Sequence, residues 1–210
     1  KSLFAAAGAN YDEVAARAAA GEPVSKSLGA TVKFVASVER KEVKGSNVAA
    51  VLPGSDPVLS KQAVVFTAHY DAYGLAADGR AYAGAADNAL GAAQMLAIAK
   101  AAAKLKTRPK RSIVFLAVCG EEHGLLGAKY WAEHPTWPLT DIAANINFDG
   151  IGTEIYGPVE RVVGFGGEFS SLGPMLDAVA PAFGARVVPD PMPEEKAFLR
   201  SDHYEFVKKG

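Results

Sequence analysis

Imidazoles and carboxylates in a few short clusters are the groups of this chain that could do chemistry. His69 and Asp71 stand two apart in AHYD, Asp87 lies in GAADNALGAA, and Glu121 and Glu122 are adjacent in CGEEHGLLG. Asp149 follows in INFDG, and Asp202 and His203 come last in RSDHYEF. Imidazole nitrogens with carboxylate oxygens, and no suitably placed thiolate, form the ligand set of a zinc-type site with mixed N and O donors. One four-coordinate ion could not use them all. Two ions could, if one carboxylate bridged them at the roughly 3.5–4 Å separation of two-metal hydrolases.

Local spacing suggests roles. On an extended chain His69 and Asp71 share a face, so the carboxylate can hydrogen-bond the ring nitrogen that a metal leaves free. Glu121 and Glu122 must diverge, so one can ligate while its neighbour holds a water. Asp87 precedes a helix, where it could cap the helix or bind metal, with Gly84 and Gly91 keeping the backbone slim. Taken singly, each motif is ordinary, and Asp149-Gly150 would pass for a turn.

The elements that must position these residues give them weight. QAVVFTAHYD, RSIVFLAVCGEE and AANINFDG read as buried strands. Residues 89–105 read as a helix with Met95, Ile98, Ala99 and Ala102 on one face, and Lys100 and Lys104 turned away. A second helix over 125–134 is closed by Pro135. Further on come a strand at ERVVGFG, a helix at SLGPMLDAVAPAFG, a strand at RVVP and a turn-rich segment holding SDHYEFVKKG. Towards the N-terminus, residues 10–20 read as an Ala-rich helix ending at Gly21. TVKFVASVE (31–39) and NVAAVLPG (47–54) read as an antiparallel strand pair joined through KEVKGS. Apolar strands between amphipathic helices imply an α/β fold, a three-layer α/β/α sandwich with a mixed, mostly parallel central sheet. In such a sheet ligands gather beyond the carboxyl ends of the strands, which is where the clusters fall.

Composition closes off other functions. Lys plus Arg number 22 against 23 for Asp plus Glu, a net charge of -1, so no broad basic face exists to neutralise a phosphate backbone and nucleic acid is not expected as a partner. A single cysteine, Cys119, excludes an intramolecular disulfide framework and a cysteine-based zinc ribbon. No apolar run approaches the ~20 residues of a membrane helix, so membrane insertion is not expected. His123 reads as a helix-start or surface residue and His134 as a favourable partner of a helix C-terminus. Cys119 reads as an inert thiol. There is no GxSxG elbow and no phosphate-binding GxxxxGK[ST] loop, and GFGG at 164–167 reads as a turn.

Together, the five ordered motifs resemble the co-catalytic zinc aminopeptidases of the M28 metallopeptidase family, from about residue 46 to the end. The resemblance implies two Zn²⁺ ions per chain. His69 and Asp149 would complete one site, Glu122 and His203 the other, and Asp87 would bridge. It further implies Glu121 as general acid/base towards a metal-activated water, Asp71 as the group orienting His69, and a cis Asp87–Asn88 peptide bond. The expected substrates are peptides with a free N-terminus, and the expected compartment is secreted or periplasmic. The family fold continues with a further strand and helix, so residues 1–210 are expected to be a catalytic domain without that closing piece. Carboxypeptidases and one-zinc glutaminyl cyclases reuse the fold, and an inactive binding module would keep it without turnover.

Overall fold

A computed structural model describes residues 1–25, 27, 29, 31–150, 152 and 157–210 of the chain. It divides into two compact units, Lys1–Val43 and Lys44–Gly210. The first holds two helices, α1 (Ser2–Ala6) and α2 (Tyr11–Ala19). The α2 helix starts where the sequence predicts, because the Asn10 side chain accepts the backbone N–H groups of Asp12 and Glu13 at 3.0 and 3.4 Å. The expected strand over 31–39 does not form. An extended run becomes a strand only when its backbone groups find a partner, and none is present among the described residues. Its apolar side chains stay in solvent, with Phe34 88% and Val35 85% exposed.

The second unit is built on a four-stranded sheet of β1 (Val48–Leu52), β2 (Ala63–His69), β3 (Ser112–Val118) and β4 (Ile142–Asn147), in the order β1-β3-β2-β4. The predicted partner of β1 is thus replaced by β3, to which β1 runs antiparallel. The β2 strand is parallel to both β3 and β4. Alternation along the strands sorts side chains to two faces. One face carries Val65, Val114, Leu116 and Val118 and packs on Trp131 of α4 (Leu126–Glu133) and Phe206 of α6 (His203–Val207). The other carries Phe66, Ala68 and Phe115 and packs on Met95 and Ala102 of α3 (Gly91–Ala103). The rings of Phe115, Phe66 and Phe148 stack along that face, with successive centroids 5.6 and 5.9 Å apart. Helices cover both faces of a mostly parallel sheet, the expected three-layer α/β/α sandwich.

Two predicted strands do not join this sheet. β5 (Arg161–Val162) and β6 (Arg186–Val187), on either side of α5 (Leu172–Val179), form a two-residue parallel pair of their own. Each is cut short by its sequence. Gly166 turns the chain with φ 82°, and Pro189 and Pro191 remove backbone donors after β6. Among the described residues, no helix is long and apolar enough to cross a membrane.

The Trp131 ring, 3% exposed, lies 5.3 Å from Phe206 and donates its indole N–H to Thr136 Oγ1 at 3.1 Å. It fills the layer between sheet and α6. Trp131→Ala is therefore expected to lower the unfolding free energy by about 3–5 kcal/mol. Leu96→Ala, on the exposed side of α3, is expected to change it by less than about 0.5 kcal/mol. Urea unfolding followed by circular dichroism measures both.

Candidate metal centre

His69 is the last residue of β2, and its imidazole is completely buried. Its Nε2 lies 3.1 Å from an Asp87 oxygen, 3.3 Å from Asp149 Oδ1 and 3.9 Å from Glu121 Oε2. His69, Asp87 and Asp149 each offer one ligand atom, and the three atoms lie within 4.8 Å of one another. Three separate segments supply them: the end of β2, the turn leading to α3, and the residues just beyond β4.

The turn before α3 decides what Asp87 does. Residues Ala85–Leu90 form a wide helical turn in which Asp87 and Asn88 leave helical geometry, and the Asp87–Asn88 bond is cis, as the resemblance implies. Asn88 does the capping: its Oδ1 accepts the Gly91 N–H at 3.2 Å while its Nδ2 donates to the Phe148 carbonyl at 2.7 Å. Asp87 makes no capping bond, so its carboxylate is free to face His69. Gly91 admits this crossing, since a Cβ there would come within 2.6 Å of the Phe148 carbonyl oxygen.

Asp71 has a wider part than its spacing suggests. Its Oδ1 stands 3.6 Å from His69 Nδ1, beyond hydrogen-bond length. The same oxygen accepts the Glu121 N–H at 3.1 Å, and Oδ2 accepts the Glu122 N–H at 3.3 Å. One carboxylate therefore backs the imidazole and anchors the chain that follows β3. As expected, the two glutamates diverge. Glu121 turns towards His69, whereas Glu122 shares a cleft of about 250 Å³ with Tyr73, Tyr82, Gly84 and Asp87.

Charge is concentrated here. Burial works against a charged His69, but the hydrogen bond and charge of Asp149, with Glu121 and Asp202, outweigh it and raise the imidazole to about 9. Burial together with neighbouring carboxylates lifts Glu121 to about 7, against the charge of His69. For Asp149, burial is opposed and outweighed by hydrogen bonds from His69 and Ser201, which hold it below the usual carboxylate range. Burial also lowers His203, and Asp149 is near enough for its charge to oppose this.

Several polar atoms here are buried without a hydrogen-bond partner among the described residues, including Glu122 Oε1 and His203 Nε2. The imidazole nitrogen of His69 and the carboxylate oxygens of Asp87 and Asp149 that converge here are a donor set of the mixed N and O kind that zinc takes. The residues fit a metal centre. The structure brings His69, Asp87, Asp149 and Glu121 within 4 Å contacts, while Glu122 and His203 stand around this group without joining it directly. His123 and His134 are exposed, with His134 stacked on Tyr130.

Sequence reasoning missed the polar residues behind the centre. Thr67, Asn147 and Ser201 connect to Asp149 by hydrogen bonds. Asp202 is fully buried, with both oxygens unpartnered among the described residues, and burial and the charge of Glu121 raise it to about 8. The available signal was Thr67 inside an apolar strand and the alternation Asn145, Asn147, Asp149.

Comparison with known proteins places this geometry. The model of peptidase family M28 matches residues 47–210. A probable zinc metalloprotease of Leptosphaeria maculans is 36% identical over 126 residues, 58% of this chain and 28% of its own length. A vacuolar membrane protease of Yarrowia lipolytica is 35% identical over 109 residues, 52% of this chain and 10% of its own. The chain thus spans only a small part of these relatives. A zinc aminopeptidase of Bacillus subtilis shares the fold with a TM-score of 0.60 at 24% identity, over 78% of this chain and 37% of its own. A glutaminyl cyclase of Porphyromonas gingivalis does so with a TM-score of 0.56 at 20% identity, over 78% and 57%. With the family model covering the whole sheet and every residue of the centre, the chain belongs to peptidase family M28, a family of zinc metallopeptidases.

Proposed function

We propose that this chain is a zinc aminopeptidase whose catalytic machinery lies within Lys44–Gly210. The observation that carries this reading is the convergence of His69 Nε2 with the Asp87 and Asp149 carboxylates, with Glu121 beside them. In this reading His69 and Asp149 hold one zinc ion, Glu122 and His203 hold a second, and Asp87 is shared. When bound, the ions supply Lewis acidity that polarises a peptide carbonyl and eases deprotonation of water.

The residues of the chain do the rest. Asp71 keeps the backbone of Glu121 and Glu122 fixed, so the Glu121 carboxylate has a defined place beside His69. Glu121 takes a proton from the attacking water and returns it to the leaving amine. Burial around His69 excludes bulk water and strengthens these electrostatic interactions. The excess of carboxylates is also suited to a free substrate α-ammonium, which is the basis for preferring the N-terminal bond.

The cleft beside Asp87 and Glu122 supports a substrate class. Its walls are Tyr73 and Tyr82, packed edge to face with centroids 5.9 Å apart, and Ala72, Ala83 and Ala85 line the remainder. Such a surface suits an apolar side chain next to the scissile bond. The same reading puts the enzyme in a secreted or periplasmic compartment, against the vacuolar membrane named for the Yarrowia relative. Fractionation of producing cells decides between these.

Chelation should abolish release of p-nitroaniline from leucyl p-nitroanilide, and zinc should restore it. Glu121→Gln should lower kcat by on the order of 10²–10⁴-fold while zinc content stays the same. Activity that survives chelation would overturn the metallopeptidase reading for this chain. Cleavage confined to N-blocked peptides would replace it with a carboxypeptidase. Cyclisation of N-terminal glutamine without release of an amino acid would replace it with a glutaminyl cyclase, the activity named for one structural neighbour. In a second test, Tyr73→Ala should raise KM for leucyl and phenylalanyl substrates by about tenfold with little change for alanyl ones, the size of one lost aromatic contact. An equal change for all three would remove the cleft from the substrate site.

A further inference from the structure

The amino ends of the strands, opposite the metal centre, carry a different kind of surface. From Asn88 to Gly120 the sequence holds no acidic residue and six basic ones, in a chain whose net charge is -1. Lys104, Lys106, Arg108, Lys110 and Arg111 fall between the end of α3 and the start of β3, and all are exposed. Lys61, also exposed, precedes β2 at the same edge, where Ala63 pairs with Ser112. A helix C-terminus accounts for Lys104, but not for the cations that lie beyond the helix. None of these six side chains forms an ion pair among the described residues, and Arg111 donates instead to Gln62 Oε1 at 2.9 Å.

Loop 53–58 fixes the shape of this face. The Ser55 N–H donates to the Pro109 carbonyl at 2.9 Å and the Asp56 N–H to the Lys110 carbonyl at 3.3 Å, while Ser55 Oγ donates to the Arg108 carbonyl at 3.0 Å. The two loops are so close that a Cβ on Gly54 would come within 2.3 Å of the Lys110 carbonyl oxygen. With its carbonyls tied inward, the basic loop presents its side chains to solvent. Asp56 is engaged, because its Oδ1 accepts the N–H groups of Val58 and Leu59, both at 2.8 Å. Asp141 precedes β4, two strands away from β3. Two aliphatic side chains accompany the cations, Val58 at 72% and Leu105 at 51% exposure. Basic groups beside exposed aliphatic ones make an amphipathic face.

We propose that this face docks the protein peripherally on an anionic phospholipid surface. The cations sit in the negative potential of the headgroups, and Val58 and Leu105 enter the headgroup layer. The mixture of groups selects the partner. An acidic peptide or a duplex phosphate backbone would satisfy the cations but give the aliphatic side chains nothing apolar to enter. Four of the six cations are lysines, which act as point charges in a diffuse field, whereas arginine is the residue for bidentate contacts. The charge layout also sets the orientation. The carboxylates of the metal centre lie beyond the other end of β2, about 20 Å along this strand, so an anionic surface attracts one end of the unit and repels the other. Docked in this way, the centre faces peptides in solution. Such docking needs no membrane-crossing segment and no bound metal.

Co-sedimentation with vesicles is the test. At low salt the full chain should sediment with phosphatidylcholine vesicles containing about one-third phosphatidylserine but not with phosphatidylcholine alone, and raising the salt should weaken binding. Lys106→Gln, Arg108→Gln and Lys110→Gln together should lower the partition coefficient on the order of 100-fold, about fivefold per charge. Lys129→Gln, Lys196→Gln and Lys209→Gln remove the same net charge elsewhere and should lower it by less than about threefold. Val58→Ser with Leu105→Ser should lower it about tenfold at unchanged charge. Lys106→Arg with Lys110→Arg should bind as the unsubstituted chain does, and far-ultraviolet circular dichroism checks that each variant keeps the fold. Absence of sedimentation with the anionic vesicles, or equal losses in the two charge triples, would overturn the proposal. So would tighter binding to polyglutamate or duplex DNA than to the vesicles, or an unchanged coefficient for the Val58/Leu105 variant, which would leave a face for anions in general.

Discussion

A fully buried imidazole facing three carboxylates is an electrostatic arrangement that must be held in place by everything around it. His69 Nε2 has Asp87, Asp149 and Glu121 within 4 Å, and those carboxylates would repel one another without a positive centre. A proton on His69 partly balances them, which is why its pKa rises although burial opposes the charge. A divalent cation balances them more fully. The fold can be understood as the means of bringing these groups together against their repulsion.

Parallel strands supply the first part of that means. The β2, β3 and β4 strands run in one direction, so the residues that follow each of them emerge at the same edge of the sheet. Loops at such an edge can carry polar groups because the strands beneath are packed between helices. The second part is local. Asp71 joins the end of β2 to the chain after β3, Asn88 ties the turn before α3 to the chain after β4, and Ser201 ties α6 to Asp149. Each of these three ties crosses from one loop to another, and each ends on or next to a residue of the centre.

Much of this was legible in the chain itself. The apolar runs at 63–69 and 112–118 and the helical face of Met95 and Ala102 are local patterns, and the structure keeps them. Other expectations failed where local pattern was insufficient. Residues 31–39 alternate as a strand should, yet strand formation depends on a partner that pattern does not specify. For Asp87 the sequence left capping and metal binding both open, and the structure gives the capping bond to its neighbour Asn88, where the backbone leaves helical geometry.

Residue type and order were enough to name candidate cation ligands and to expect most of them beyond strand ends, since ligand chemistry and strand periodicity are properties of short segments. Which oxygen faces which nitrogen was decided by tertiary structure alone. Asp71 meets the Glu121 and Glu122 amides across 50 and 51 residues, and Asn147 meets Ser201 across 54. Those contacts depend on how the layers pack, and no spacing within a motif contains them.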